Sequence, residues 1–428
     1  MAAFAAATAA MTTLAVTPAH AAAGFTVSGS QILDANGNAF VMRGVNHAHT
    51  WYPDKLSSLA DIKALGANTV RVVLSSGDRW TRNDASDVTG VIDRCKANRL
   101  ICVLEVHDTT GYGEDSAATT LDRAVDYWIS IRSALAGQER YVILDIGNEP
   151  YGNTATAGWI TDTENAITRL RAAGFEHSIM VDAPNWGQDW SFTMRDNAAS
   201  VFATDPRRNT IFSIHMYGVF DTAAEITDYL GRFRAAGLPI VIGEFGYNHS
   251  DGDPDEDTIM ATAQAQGIGY LGWSWSGNGG GVEYLDLITD FDATRLTPWG
   301  ERLFHGPDGI RATSREATVY GTPPSSPPGR TCTATYAITG QWTGGFQGAV
   351  TVQAGTAPIS AWTVAWTWPD GQRFTNSWNA AVTTSGGSVT ARSLSYNASL
   401  PAGGSTSWGF TAAWTGANTA PAPTCTAS

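Results

Sequence analysis

Two glutamates, each at the end of an apolar run, are the residues of this chain best placed to do chemistry. The first run is YVILDIGNEP, ending in Asn148-Glu149-Pro150; the second is LPIVIGEFGY, carrying Gly243-Glu244-Phe245-Gly246. A carboxylate just past a Val/Ile-rich strand sits at the mouth of a sheet, where ligands bind. Two of them can divide the work of breaking a glycosidic bond, one as acid/base and the other as nucleophile or base. Further strand ends carry polar or aromatic residues: Arg71 in TVRVVLS, His107-Asp108 in CVLEVHD, His215-Met216-Tyr217, and Trp273-Ser274-Trp275. One histidine or arginine at a strand end is more often a satisfied structural group. So many strand ends bearing the residue types of a sugar site is a coincidence hard to reach by chance.

The elements that must position these residues alternate. Strand candidates lie near 41–46, 69–74, 100–106, 141–147, 178–182, 210–215, 239–243 and 269–274. Amphipathic stretches such as SSLADIKALGA and TLDRAVDYWISIRSALAG lie between most of them. This pattern predicts an α/β (β/α)8 TIM barrel with its active residues at the C-terminal strand ends. An open doubly wound sheet is the runner-up, weakened because no Gly-rich phosphate loop follows the first strand. The opening FTVSGSQILDANGNAFVMRG reads as a hairpin turning at Asn36-Gly37.

At 428 residues the chain exceeds one small domain, and its composition changes near residue 321. GTPPSSPPGR reads as an extended Pro/Ser linker over 321–330. The segment 331–428 is rich in Thr, Ser, Gly and Trp, with period-two alternation around Ala361-Trp362-Thr363-Val364-Ala365-Trp366, which predicts an all-β sandwich. Cys332 and Cys425 bracket it and are expected to pair. Cys95 and Cys102 flank a helix-to-strand turn and are read as a second pair or as two buried thiols. Residues 1–23 are apolar and Ala-rich, with an A-x-A-like site at Ala19-His20-Ala21, and read as a signal peptide without its basic start. The expected organisation is therefore signal peptide 1–23, barrel 24–320, linker 321–330 and module 331–428, in a secreted, extracellular monomer. The net charge of −14 argues against nucleic acid and anionic membrane as partners.

On these motifs the segment 24–320 resembles glycoside hydrolase family 5: NEP, HMY and GEFG stand in its order. RGVNHAHTWY, EVHDTTGYG and GWSWSGNGGGVEYLDL are similar to the bacterial endo-β-1,4-mannanases of that family. The resemblance implies Glu149 as acid/base and Glu244 as nucleophile. It implies that Arg71 and Tyr217 hold the nucleophile ionised and that Asn148 donates to the sugar 2-hydroxyl. His107 and His215 would contact substrate or orient the carboxylates, and Trp273 would form the floor at the cleavage site. A cation beside Glu244 is expected to lower its pKa. Glu105 and Asp145 lie within strands and are expected behind the site. His47, His49 and Trp51 are candidates for a distal subsite, as are Trp186 and Trp190, which outer packing would equally explain.

The segment 331–428 resembles a family 2 carbohydrate-binding module, through Gln341-Trp342, Asn376-Ser377-Trp378-Asn379 and Ser407-Trp408-Gly409-Phe410. That resemblance implies a binding strip of Trp342, Trp378 and Tyr396, with Tyr396 where tryptophan is usual, and Trp362 in the core. Seven tryptophans in this segment are more than a small core holds, so some must be exposed. The implied activity is retaining endo-hydrolysis of β-1,4-mannosidic bonds in mannan, galactomannan and glucomannan. The module would hold cellulose or another insoluble β-1,4-glycan (xylan and chitin remain open). An endo-β-1,4-glucanase on the same scaffold is the alternative, and an inert wall-binding protein is a rival of another class. No G-x-S-x-G elbow supports a serine esterase. No cofactor is required by this chemistry. The acidic loop Asp251–Asp257 offers oxygen ligands for a structural calcium, or is a solvated loop whose Asp253 or Asp255 caps the next helix.

Overall fold

The computed structural model describes residues 24–321, 331–355 and 358–427. The signal peptide expected over 1–23 and nearly all of the expected linker lie outside the described residues. The chain divides into two compact units, parting after Gly321.

The first unit opens with a short antiparallel pair, β1 (Thr26–Ser28) and β2 (Gln31–Leu33). Its turn is Gly29-Ser30, not Asn36-Gly37 as expected; the Asn-Gly turn instead closes a single bridge between Leu33 and Ala39. Eight parallel strands then close into a barrel: β3 (Arg43–His47), β4 (Thr69–Leu74), β5 (Ile101–Val106), β6 (Val142–Asp145), β7 (Ile179–Asp182), β8 (Thr210–Met216), β9 (Ile240–Phe245) and β10 (Gly269–Gly272), with β10 pairing back onto β3. The helices between them include α1 (Ser58–Ala64), α2 (Ala85–Ala97), α3 (Leu121–Ser130), α4 (Arg132–Leu135), α5 (Gly158–Ala172), α6 (Thr193–Thr204), α7 (Ala223–Ala235) and α8 (Glu256–Gln266). Side-chain caps mark several helix starts: Asp84 accepts from Ser86 and Asp87 N–H groups, and Thr120 and Thr222 cap α3 and α7. Gly267 ends α8 in the left-handed conformation that costs glycine least.

The period of two along each strand divides the core. Val142 and Leu144 pack outward with helix residues such as Trp128 and Trp159. Ile143 instead joins Val103, Met180, Ile211, Val241 and Leu271 in an inner apolar layer, closed below by Phe25, Ile32 and Phe40. One step further along the same parity come Glu105, Asp145 and Asp182, all fully or almost fully buried. The barrel thus has an apolar floor and an ionic upper layer.

Cys95 on α2 and Cys102 on β5 are free buried thiols rather than a bonded pair. Their sulfurs lie 2.6 Å apart, beyond the ~2.05 Å of a disulfide.

The second unit is a sandwich of two four-stranded antiparallel sheets. Its strands are β11 (Cys332–Trp342), β12 (Gly345–Ala354), β13 (Trp362–Thr367), β14 (Arg373–Trp378), β15 (Ala381–Ser385), β16 (Ser388–Arg392), β17 (Ser405–Ala413) and β18 (Thr424–Ala427). Trp362, Trp366, Trp368 and Trp408 fill the core, while Trp342, Trp378 and Tyr396 stand exposed. The Cys332–Cys425 disulfide joins β11 in one sheet to β18 in the other across a separation of 93 residues. A link of that span restricts the unfolded chain strongly, so replacing both cysteines by alanine should cost the module about 2–4 kcal/mol. Calorimetry should show this in the second unit's own transition, with that of the first unit unaffected.

Candidate active site

Arg71 organises the upper layer. It points inward from β4, is fully buried, and uses all five N–H groups of its guanidinium. Nε donates to Asp145 Oδ2 at 3.0 Å. Nη1 donates to Glu244 Oε1 at 2.7 Å and Asn46 Oδ1 at 3.1 Å. Nη2 donates to Asn148 Oδ1 at 2.8 Å and Asp182 Oδ2 at 2.9 Å. Glu105 lies 3.8 Å from Nη1. Such a planar fork can serve several carboxylates at once, which a lysine cannot do.

Glu244, near the end of β9, has both oxygens engaged, since Tyr217 Oη donates to Oε2 at 2.9 Å. Glu149 follows β6 with a φ of 39°, a left-handed conformation that a non-glycine residue holds only where its surroundings impose it. His215 on β8 bridges the two glutamates. Its Nδ1 is 2.8 Å from Glu149 Oε1 and 3.5 Å from Glu244 Oε2, and its Nε2 is 3.2 Å from Asp182. One oxygen of each glutamate and a His215 nitrogen all lie within 4.8 Å of one another. That spacing suits a pair flanking one glycosidic bond with no water between. Gly187 makes room for the imidazole: a Cβ there would lie 2.6 Å from the ring, and its φ of 73° favours glycine.

The electrostatics follow from burying more carboxylates than cations. Burial alone would lower the His215 pKa, but the charges of Glu244 and Asp182 outweigh it and raise it well above the ordinary value. Burial also raises Asp145 well above the usual carboxylate range, with Asp182 adding to the rise and Arg71 opposing it. Burial would raise Asp182 too, yet His215 and Arg71 hold it down. For Glu244 the expected lowering is overturned: loss of water raises it above 4.5, outweighing the pull of His215 and Arg71.

His107 extends the site on the side of β5. Its Nδ1 contacts Glu105 Oε1 at 2.9 Å, and its ring stacks on Trp273 at 5.6 Å. Trp51 and Trp80 pack around the same imidazole at 5.2 and 5.7 Å. Trp273 is anchored by Asn278, whereas Trp275, its period-two neighbour, is wholly buried in the helix-side core. Asn148 also donates from Nδ2 to Thr110 Oγ1 at 2.8 Å.

The structure does not bring His47 and His49 to the site. His47 is buried behind β3, where burial pushes it down to about 3, and His49 pairs with Asp87 on α2. Asp108 organises a loop instead, accepting from Ser75, Ser76, Asp78 and Arg79. In the acidic loop, Asp251 contacts His249, Gln188 and Gly218, Asp255 caps α8, and Asp257 pairs with Arg302. These three carboxylates are already occupied by protein donors and make a poor calcium set. Asp182 and Trp80 were missed in the sequence. The parity of IMVD, one step past Met180, was the available signal for the first; Trp80 lies in a loop and gave none.

A barrel presenting a bridged carboxylate pair at its strand ends has the form of a hydrolase acting on glycosidic bonds. The family model described as Cellulase (glycosyl hydrolase family 5) matches residues 33–279, and the chain belongs to that family. The model described as Cellulose binding domain matches residues 332–427. A mannan endo-1,4-beta-mannosidase of Streptomyces lividans is 66% identical over 302 residues, covering 70% of this chain and 79% of that protein. One from Cellvibrio japonicus is 50% identical over 303 residues, covering 70% of each chain. A solved β-mannanase structure from Streptomyces thermolilacinus superposes with a TM-score of 0.69 at 66% identity, covering 70% of this chain and all of that one.

Proposed function

We propose that this chain is a retaining endo-β-1,4-mannanase, carried by the bridged pair of Glu149 and Glu244. Glu244 attacks the anomeric carbon while Glu149 gives its proton to the departing glycosidic oxygen. The bond to the leaving sugar breaks as the bond to Glu244 forms. Water then donates a proton to Glu149 and its oxygen displaces Glu244, restoring the starting configuration. Arg71 and Tyr217 fix the orientation of Glu244, and His215 holds Glu149 against it. Asn148, with one Nδ2 hydrogen on Thr110, has the other for the sugar 2-hydroxyl. Trp273 and His107 form the wall beneath the sugar that becomes attached. None of these steps draws on a cofactor.

The second unit serves as the anchor, with Trp342, Trp378 and Tyr396 stacking on a β-1,4-glycan such as cellulose. We read residues 321–330 as the tether, which raises the local concentration of substrate bonds around the barrel. Export through the segment 1–23 fits the disulfide of the module. Among the described residues no helix is long and apolar enough to cross a membrane.

Reducing-sugar release from galactomannan and from carboxymethyl cellulose, side by side, tests the substrate. Strong release from galactomannan alone is expected. Release from the cellulose derivative alone would keep the chemistry and make the enzyme an endoglucanase. Because Glu244 must be ionised to attack, activity should fall as pH drops through its raised pKa. The acid limb of kcat/KM should therefore lie above pH 4.5, and a limb at or below that value would contradict the burial argument.

A further inference from the structure

The cleft has a second half that the mechanism above leaves unused. A cavity of about 530 Å³ opens beside Glu149, lined by Trp186, Gln188, Trp190, Tyr217 and His249 among others. The Trp51–Trp80–His107–Trp273 cluster lies outside this lining, so the cavity is on the acid/base side, where the leaving group departs. A second cavity of about 240 Å³ shares Gln188, Trp190 and Val219 with the first and adds Phe192, Glu225 and Asp228. Trp190 is thus a wall common to both cavities.

Trp190 and Phe192 are 49% and 42% exposed; among the described residues of the barrel unit, no other aromatic side chain is large, hydrophobic and exposed. Both are held in place. Trp190 donates from Nε1 to Asn153 at 2.7 Å, and the Arg195 guanidinium covers one face of Phe192 at 3.6 Å. Their loop adopts left-handed φ values at Asn185 (59°), Trp186 (53°), Asp189 (45°) and Phe192 (60°). Asp189 pins that shape from within, accepting from Met194 N–H at 2.8 Å, Arg195 N–H at 2.9 Å and Tyr229 Oη at 2.6 Å. A fold that keeps several unfavourable conformations to display two rings in water uses those rings. Flat aromatics beside amide and carboxylate acceptors make the composition of a sugar subsite.

We propose that Trp190 and Phe192 form a distal leaving-group subsite, stacking on a backbone hexopyranose at least two units beyond the cleaved bond. The occupant is the reducing-end side of the β-1,4-linked chain, because Trp190 also lines the cavity beside Glu149. This assignment rests on the reading of Glu149 as the acid/base.

The test uses the full chain and the variants Trp190→Ala, Trp190→Phe and Trp190→Ala/Phe192→Ala. One readout is the ratio of kcat/KM on mannohexaose to kcat/KM on 4-nitrophenyl β-mannobioside, whose aryl group is too short to reach the second cavity. The other is the position of cleavage in mannohexaose, read by mass spectrometry after hydrolysis in 18O-water. Loss of both rings should lower the ratio about 10-fold in the double variant. Cleavage should shift toward shorter reducing-end fragments, and Trp190→Phe should restore most of both effects. An unchanged ratio and pattern, or an equal fall on both substrates, would overturn the subsite while leaving the mannanase reading intact. An effect confined to galactose-branched substrate would overturn the backbone assignment in favour of a branch. Wild-type protein inactive on every manno-oligosaccharide would overturn both readings.

Discussion

Glu244→Ala should lose hydrolysis by at least about 10⁴-fold, with binding to insoluble cellulose unchanged. The groups described around that carboxylate are Arg71, Tyr217 and His215, and none of them is a second carboxylate able to take over its role. Added azide sharpens the expectation. A small anion can enter the space vacated by Glu244 and attack once, so this variant should yield the α-glycosyl azide from an activated substrate. Glu149→Ala should still form the covalent intermediate from an activated substrate, and azide should then displace Glu244 to give the β-glycosyl azide. Opposite anomers from the two variants, identified by NMR, would fix the two roles. The same anomer from both would sink the assignment.

Arg71→Met should destabilise the barrel by about 3–5 kcal/mol, lowering its Tm by roughly 10 °C. The variant leaves Glu105, Asp145, Asp182 and Glu244 facing one another, with the protein's main compensating cation gone. Those carboxyls would then take up protons at higher pH than in the unfolded chain. A carboxyl whose folded pKa is raised contributes stability at low pH and loses it as pH rises through that pKa. The deficit relative to wild type should therefore widen between about pH 4 and about pH 7. Thermal melts at both ends of that range give the answer, and a deficit that shrinks with pH would refute the argument. Arg71→Lys should recover part of the loss only, since a single ammonium cannot reach acceptors spread around a guanidinium.

Much of the fold was legible because each barrel strand is a short Val/Ile-rich run between helical stretches. The run read as 69–74 is β4 to the residue, and that read as 41–46 became Arg43–His47. Arg71, Glu149, His215, Tyr217 and Glu244, found on four different strands or just past them, lie together in space. What was not legible depends on which parity of a strand faces inward. Asp182 reads in sequence like the last residue of an ordinary strand, and only ring closure aims it at Arg71 and His215. The pKa of Glu244 was misjudged because sequence reveals the neighbouring cation but not the depth of burial. Trp273 and Trp275 share a parity, yet one lies against His107 and the other beneath the helices. The position of the first turn was missed because Asn36-Gly37 has the stronger turn chemistry, while the paired strands meet at Gly29-Ser30.

The bond between Cys332 and Cys425 brings the two ends of the sandwich to a Cα separation of 5.6 Å. A domain whose entry and exit coincide is a cassette. It can be spliced after, before or within an unrelated chain at one surface loop, without pulling its neighbour's ends apart. The binding strip should therefore travel intact, so that grafting 331–428 onto a protein with no affinity for polysaccharide should confer retention on cellulose by itself.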